Sequence, residues 1–446
     1  MILEVSFIDK YLNMKKIKSK RSSLINYFPL SILFFFLFYS CFKPEQNRIV
    51  IDPEPLNIIL DSYVRNGIYP FLYSRIEDSN GSLLYEHSVV NRELLPDVDV
   101  DVDSWIRIWS MSKLITISIA MDLIEEGIIS LEDSVINFIP EFKDLKVAVN
   151  DDGISFARLD SGIDSCPFYL EAMDSVLSIK NLFDHTAGFY YALTGFDCID
   201  SLFADIDTPN KDNGDELINS LAKLPIMQHP GEIYKYGMNT TVLGLVLERA
   251  TGVSLRDLLE ERITEPFNIE GLRYTLPENV DLIPCHTGKD GFLRTTKTGD
   301  LDIFGKTVPD YNPDRNLFLG GEGMLSTAGG YISFMRLLFF HQSQSVKSLL
   351  TDQTIKEMTS KPTDAQNDDG YQTGYGFYLT SEKNPYEKNI LRVGGYEGTT
   401  CWVDRKNKLI GTLFTQANST SDMIGLGREL HNDFKKELYG QLNNGE

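Results

Sequence analysis

Trp105-Ile106-Arg107-Ile108-Trp109-Ser110-Met111-Ser112-Lys113-Leu114-Ile115-Thr116 is the stretch on which the reading of this chain turns. It sets a serine hydroxyl, Ser110, and a lysine amine, Lys113, three residues apart at the head of an apolar run that reaches Gly127. Residues three apart on a helix share a face, so the two side chains can touch. On a first turn, the unpaired amides and the helix dipole also favour a developing oxyanion. A weak nucleophile beside a base is what covalent catalysis requires. The run is apolar around most of its circumference, which predicts a buried helix closed by Gly127. A lysine at the mouth of such a helix is costly unless it is paired or put to use. Two further Ser-x-x-Lys pairs lack this setting. Ser220 and Lys223 belong to a short amphipathic stretch and read as solvated surface, and Ser40 and Lys43 stand at the end of the leader.

Working outward, the 446 residues suffice for one large core or two smaller ones, and 42% hydrophobic with 24% charged residues is an ordinary globular balance. A net charge of −22 argues against nucleic acid, whose phosphates need a basic face, and against adhesion to an anionic bilayer by charge. The amino end differs. A basic cluster from Lys15 to Arg21 precedes an apolar run that is shorter than the ~20 residues of a membrane span and suits a signal-peptide core. Residues 1–40 are therefore expected to be a signal peptide, with Met14 as an alternative start. Leu37-Phe38-Tyr39-Ser40-Cys41 resembles a bacterial lipoprotein cleavage site, so Cys41 is the expected lipid anchor, with Phe38 a poor fit to that pattern. The chain is then expected to be exported to the cell envelope, touching the membrane only through this anchor, with 41–55 as a linker. Cys166, Cys198, Cys285 and Cys401 show no metal spacing; in an exported protein they could form disulfides, Cys166 and Cys198 flanking one insertion.

Beyond the linker, 56–65 reads as an amphipathic helix, and 71–76 and 83–89 as strands joined by the turn Asp78-Ser79-Asn80-Gly81. Helical patterns are expected at 131–139, 176–183, 241–250 and 331–340, then strands at 376–380, 390–393, 399–404 and 409–416, and a helix over 423–439. Strands at both ends with helices between them predict an α+β fold: one antiparallel sheet assembled from distant segments, flanked by helices, with a mostly helical part inserted. That places the α/β part at about 56–109 and 362–440 and the helical part at about 110–361, within a domain of 56–445. The alternation of Val and Asp over 97–103 lacks the glycine and glutamate of a calcium loop, since Val102 and Ile108 occupy those places. It reads as a half-buried strand or a solvated loop.

Two further stations carry chemistry. Pro230-Gly231-Glu232-Ile233-Tyr234-Lys235-Tyr236-Gly237-Met238-Asn239 places Tyr236 in a turn before an apolar helix. Arg392-Val393-Gly394-Gly395-Tyr396-Glu397-Gly398 puts paired glycines inside a strand pattern, which marks either a bulge or a close approach of another molecule to the backbone. In this order, and with connecting phrases such as Gly320-Gly321-Glu322-Gly323-Met324-Leu325-Ser326-Thr327, the three stations resemble the serine β-lactamase-related superfamily, closest to its family VIII carboxylesterase branch. The resemblance runs over most of the chain after the linker and implies the β-lactamase/transpeptidase-like fold.

Carried over, it implies Ser110 as nucleophile, Lys113 as its base partner, and Tyr236 as the residue that shares the proton and later gives it to the leaving alcohol. The backbone amides of Ser110 and Tyr396 would form the oxyanion hole, with Val393, Gly394 and Gly395 as the third motif. Which of Lys113 and Tyr236 is the general base stays open. Two departures stand out. Relatives often carry Asn or Ser two places after the tyrosine; here that place is Met238, with Asn239 one further on. The β-lactamase and transpeptidase motif opens with Lys or His where this chain has Val393, and Arg392 cannot replace it because adjacent strand residues face opposite ways. A substrate carboxylate thereby loses a charge-assisted partner of about 1.5–3 kcal/mol, while a neutral ester loses nothing.

The expectation is a serine hydrolase forming an acyl-enzyme on small ester or amide substrates, read first as a carboxylesterase on neutral esters, with no metal or cofactor and an open oligomeric state. A β-lactamase or D-Ala-D-Ala carboxypeptidase, and a non-catalytic exported binding protein of the same fold, are the alternatives. His185 beside Asp184 suggests a Ser-His-Asp triad, but the chain has no G-x-S-x-G elbow. Loops at 151–179 and 197–215 are expected to line the acyl pocket, with Trp105, Trp109, Tyr190 and Tyr191 as candidate aromatic walls.

Overall fold

Asp78 closes the first hairpin much as its sequence predicts. Its carboxylate accepts from the amides of Asn80 and Ser82 at 2.8 Å each, and Gly81 takes φ +87°. The computed structural model describes residues 49–160, 166–288, 290–305, 308–340, 348–360, 371–380, 389–418 and 421–444. The expected signal peptide, Cys41 and the first part of the linker lie outside the described residues.

Helix α1 (Pro53–Arg65) starts at an Asp52 cap whose side chain accepts from the Glu54 amide, with proline in its first turn. Strands β1 (Phe71–Asp78) and β2 (Leu83–Val90) follow. The apolar run becomes α2 (Ser112–Glu125), and the later helices α3 (Asn239–Thr251) and α4 (Ala328–Phe340) continue the middle of the chain. Strands then return as β3 (Tyr371–Thr373), β4 (Tyr378–Thr380), β5 (Ile390–Gly394), β6 (Thr400–Asp404) and β7 (Leu409–Phe414), before α5 (Ser421–Asn444). The sheet has seven strands in the order β3-β4-β5-β6-β7-β1-β2, antiparallel throughout. β7 pairs with β1 through Tyr73 opposite Phe414, so the two chain ends share one sheet. The fold is α+β and β-lactamase/transpeptidase-like.

Both faces of this sheet are covered, and β6 and β7 are buried at every residue. On one face, Phe434 of α5 packs against Tyr85 and Trp402, and Tyr63 of α1 donates to Asp433 of α5 at 3.0 Å. Gly411 lies opposite Trp402 in the register, where any Cβ would enter the indole ring. On the other face, Arg336 of α4 pairs with Glu77 of β1, and Tyr331 of α4 donates to the Met111 carbonyl at 2.9 Å. This second face carries the start of α2.

Two sequence expectations are corrected here, and one left open between strand and loop is decided as a loop. The 131–139 segment is not an α-helix but two 3-10 turns, Val135–Asn137 and Pro140–Asp144. Its backbone bonds go outward instead: Val135 donates to the Leu177 carbonyl at 2.9 Å, and Asp133 accepts from Ile179 at 2.9 Å. That pairing also shortens the 176–183 helix to Ile179–Phe183, begun by a Ser178–Asn181 capping box. The 97–103 segment forms no strand. Val100 is buried, and the carbonyls of Val100 and Val102 are bonded to Ser88 and Gly329. Cys166 and Cys198 are joined by a disulfide; Cys285 and Cys401 are buried thiols.

Candidate active site

The approach to Ser110 is held from several directions. Ile106–Arg107 pairs with Leu325–Ser326, and the Gln416 amide both donates to and accepts from the Arg107 backbone at 3.0 Å. Trp109 then adopts φ +45°, a left-handed conformation that costs a non-glycine residue roughly 1–2 kcal/mol. Its buried indole N–H donates to the Glu397 carboxylate at 2.7 Å, and the Cys285 thiol donates to the same oxygen at 3.1 Å. Tyr396 stands edge-on to the indole at 5.4 Å. This anchored kink turns Ser110 into a cleft on the 3-10 turn Trp109–Met111, directly ahead of α2.

Lys113, one turn on, is 3% exposed. Its Nζ donates to the Gly321 carbonyl at 2.9 Å and to the Tyr191 hydroxyl at 3.0 Å. It also lies 3.3 Å from both Ser110 Oγ and Glu322 Oε1. Burial by itself lowers the proton affinity of this amine. The facing Tyr236 and Glu322 outweigh burial and raise its proton affinity above that of an ordinary lysine. Tyr236, more exposed than its neighbours, donates to Ser110 Oγ at 2.7 Å, with its ring centroid 5.0 Å from Lys113 Nζ. A hydroxyl, an amine and a phenol separated by up to 126 positions thus meet at one point.

His185 does not reach Ser110 as a triad would require. It lies buried behind Tyr236, stacked on its ring at 5.0 Å and 24°. Desolvation, with the Lys113 charge adding to it, drives its pKa down to about 3, so the imidazole is neutral. Asp184 pairs with Lys180 instead. Asn239, the second-motif neighbour of Tyr236, does not line the cleft. Met238 is buried, α3 begins at Asn239, and the wholly buried Asn239 amide is turned back to His185 Nδ1 at 3.0 Å. It supports the platform under Tyr236.

The cleft has a volume of about 430 Å³. Gly394, Gly395 and Tyr396 form one wall beside Ser110, and Tyr190, Tyr191, Leu193, Met227 and Ile303 provide aromatic and aliphatic surface. Gly395 can be nothing larger, since a Cβ there would come within 2.6 Å of the Ile108 carbonyl, two residues before the serine. Val393 is buried below, next to Ser110 and Lys113, whereas Arg392 registers with Trp402 on the opposite face of the sheet. The Tyr396 hydroxyl donates to Asp302 at 2.6 Å and accepts from Asn418 at 2.8 Å. Among the described residues, none from 151–179 or 197–215 lines this cleft, and of the four candidate aromatic residues only Tyr190 and Tyr191 do.

Glu322 and Tyr191 are the contacts that motif reasoning passed over. Glu322 is an acid set among glycines inside a phrase quoted only for its likeness, and that isolation was its one signal. Tyr191 was named only as a candidate wall, not as a partner of Lys113.

Comparisons with known proteins bear on the family and the fold. The chain is 24% identical to lovastatin esterase of Penicillium rubens over 394 residues, covering 81% of this chain and 92% of that one. It is 24% identical over 269 residues to ML-236A carboxylate methylbutanoyltransferase of Penicillium citrinum, covering 60% of this chain and 58% of that relative's length. Among solved structures, EstCE1, described as a hydrolase with promiscuous acyltransferase activity, shares the fold with a TM-score of 0.65 at 16% identity, covering 86% of this chain and 98% of that one. Residues 79–431 match the profile described as Beta-lactamase, and on that match the chain belongs to the beta-lactamase family.

Proposed function

We propose that this serine-hydrolase-type protein is a carboxylesterase acting on neutral esters through an acyl-enzyme on Ser110. The observation that carries the reading is Ser110 Oγ lying 2.7 Å from the Tyr236 hydroxyl and 3.3 Å from Lys113 Nζ, at the floor of a largely apolar cleft. In the reaction, Ser110 Oγ bonds to the ester carbonyl carbon while its proton passes to the Tyr236 oxygen. The phenolate form this requires is stabilised by the Lys113 ammonium, whose raised proton affinity supports tyrosine rather than lysine as the base. The carbonyl oxygen becomes an oxyanion, which the amides of Ser110 and Tyr396 would receive. The C–O bond then breaks, and the alcohol leaves with the proton held by Tyr236. Water repeats the sequence on the acyl-enzyme, giving the acid and regenerating Ser110.

Neutral esters are favoured because Val393 offers no cation where β-lactam and peptide carboxylates would need one, and Arg392 is on the far face. The esterase and acyltransferase names of the relatives support acyl transfer and admit an alcohol in place of water as acceptor. Export and anchoring at Cys41 are part of the proposal and rest on the sequence pattern alone. The experiment is covalent labelling with a fluorophosphonate and turnover of short aryl esters, compared with Ser110→Ala. Labelling and turnover that vanish in the variant support the reading. Equal labelling of the variant rejects Ser110, and turnover of a chromogenic cephalosporin rivalling that of the esters moves the assignment to a β-lactamase. A well-folded protein with neither activity is a binding protein.

A further inference from the structure

Glu322 belongs to none of the three motif stations, yet it lies wholly buried between α2 and α3, and its contacts converge on the reacting groups. Oε1 accepts from the Tyr191 hydroxyl and lies 3.3 Å from Lys113 Nζ, while Oε2 accepts from the Thr241 hydroxyl. Thr241 also accepts from the Gly321 amide at 3.1 Å, which binds the glycine phrase to the first turn of α3. A carboxylate removed from water is tolerated when a cation and donors meet it, and here Lys113 is the cation. The groups around the pair are Tyr191 and Tyr236 beside Lys113, His185 behind Tyr236, and Tyr274 with Glu248 beyond it on the Glu322 side. Burial keeps Tyr191 and Tyr274 protonated and His185 neutral, so Glu322 is the fixed anion facing Lys113.

We propose that Glu322 is a positioning residue for the reaction: its buried carboxylate holds Lys113 in the ammonium form and thereby sets the pH range in which Tyr236 accepts the serine proton. The inference rests on the acyl-enzyme reading but is tested separately from it. An anion removed from this cluster lowers the proton affinity of Lys113, the cation it faces. The alkaline limb of the pH–rate profile should therefore move to lower pH in Glu322→Gln, by about one to two units. At pH 10 this appears as a fall in kcat of about three- to twentyfold, with KM changed by less than about threefold and the activity near pH 6 better preserved. Glu322→Asp should recover part of the shift.

The readouts are kcat and KM from pH 5 to 10, together with fluorophosphonate labelling. Loss of labelling in the wild-type protein would defeat the acyl-enzyme reading. A Gln variant that labels, folds and keeps the wild-type alkaline limb, or that loses rate uniformly at every pH, would overturn the role of Glu322. If that variant does not fold, the unmodified enzyme still decides the matter: the Lys113 Nζ signal in 15N-lysine protein, assigned through Lys113→Met, should report an ammonium at pH 8. A neutral amine at that pH overturns the proposal.

Discussion

Tyr236 shows how much work a single side chain can do when its neighbours are fixed. Its hydroxyl is within hydrogen-bond reach of the serine, Lys113 lies over its ring, and His185 supports the other side. Tyr236→Phe keeps the ring and its stacking but loses the proton acceptor, so kcat for an aryl ester should fall about 10²–10⁴-fold with the thermal midpoint nearly unchanged. A midpoint that falls along with kcat would assign the residue to structure. His185 supplies a pH test. Its pKa of about 3 in the fold is far below the unfolded value near 6.5, so the unfolded chain binds a proton that the native state refuses. The contribution is intact above pH 6.5 and is lost as pH falls towards 3, at about 1.4 kcal/mol per unit. His185→Phe keeps a ring against Tyr236, and denaturant titrations between pH 6.5 and 5 should show a flatter slope by that amount. An identical slope in the variant would place the imidazole in water. At this scale, Ser110 and Lys113 were legible from their spacing and local setting, and Tyr236 only through the family resemblance. Glu322 and Tyr191 were not, because their importance comes from a meeting of α2, α3 and two loops that no local spacing records.

Elements were legible where their hydrogen bonds are local and obscure where they are not. α2 and α3 carry their own apolar patterns and closing glycines, Gly127 and Gly252, the first hairpin carries its own turn, and the observed bounds lie within a few residues of the expected ones. The 131–139 segment has helical spacing in Leu131, Val135, Phe138 and Ile139, yet it bonds to residues 177–180 some forty positions later. Amphipathic periodicity reports which side is buried, not where the amides find acceptors. The turn after β5 illustrates a different constraint. Gly395 donates to Thr399 at 2.8 Å and packs on the Ile108 carbonyl, so the third motif and the strained turn before Ser110 are in direct contact. Gly395→Ala must push Ile108 aside, with an overpacking cost of about 1–3 kcal/mol. The displacement should reach Ser110 through Trp109, lowering both kcat and the rate of fluorophosphonate labelling by at least tenfold, an amount expected when reacting groups move by a fraction of an ångström. Wild-type labelling in a destabilised variant would show that the two segments move independently.

On the scale of the whole molecule, the sheet explains why a sequence read from one end looks like two unrelated halves. β1 and β2 come from the first hundred residues, their partner β7 arrives more than three hundred positions later, and α1 and α5 close over the same face. Pattern reading recovered that architecture and, of the cleft walls, Tyr190, Tyr191 and the third motif, while Leu193, Met227 and Ile303 escaped it, because they are chosen by how the middle of the chain folds back over Ser110. The Cys166–Cys198 disulfide lies next to that returning chain, since Cys198 opens the short helix Asp197–Asp205 immediately after the wall residues Tyr190–Thr194. It spans 32 positions, and closing a loop of this length restricts the unfolded chain by about 3–4 kcal/mol in the chain-entropy account. Spread over a domain of this size, that is a fall in thermal midpoint of about 2–5 °C on reduction or in Cys166→Ser/Cys198→Ser. Ser110, Lys113 and Tyr236 are positioned by α2, α3 and the sheet rather than by this loop, so kcat for a short ester should stay within about twofold while KM for bulky acyl groups rises. Calorimetry with and without reductant, paired with kinetics on a short-chain and a long-chain ester, separates the two effects. A large loss of kcat on the short ester would mean that the loop helps to hold the reacting groups themselves.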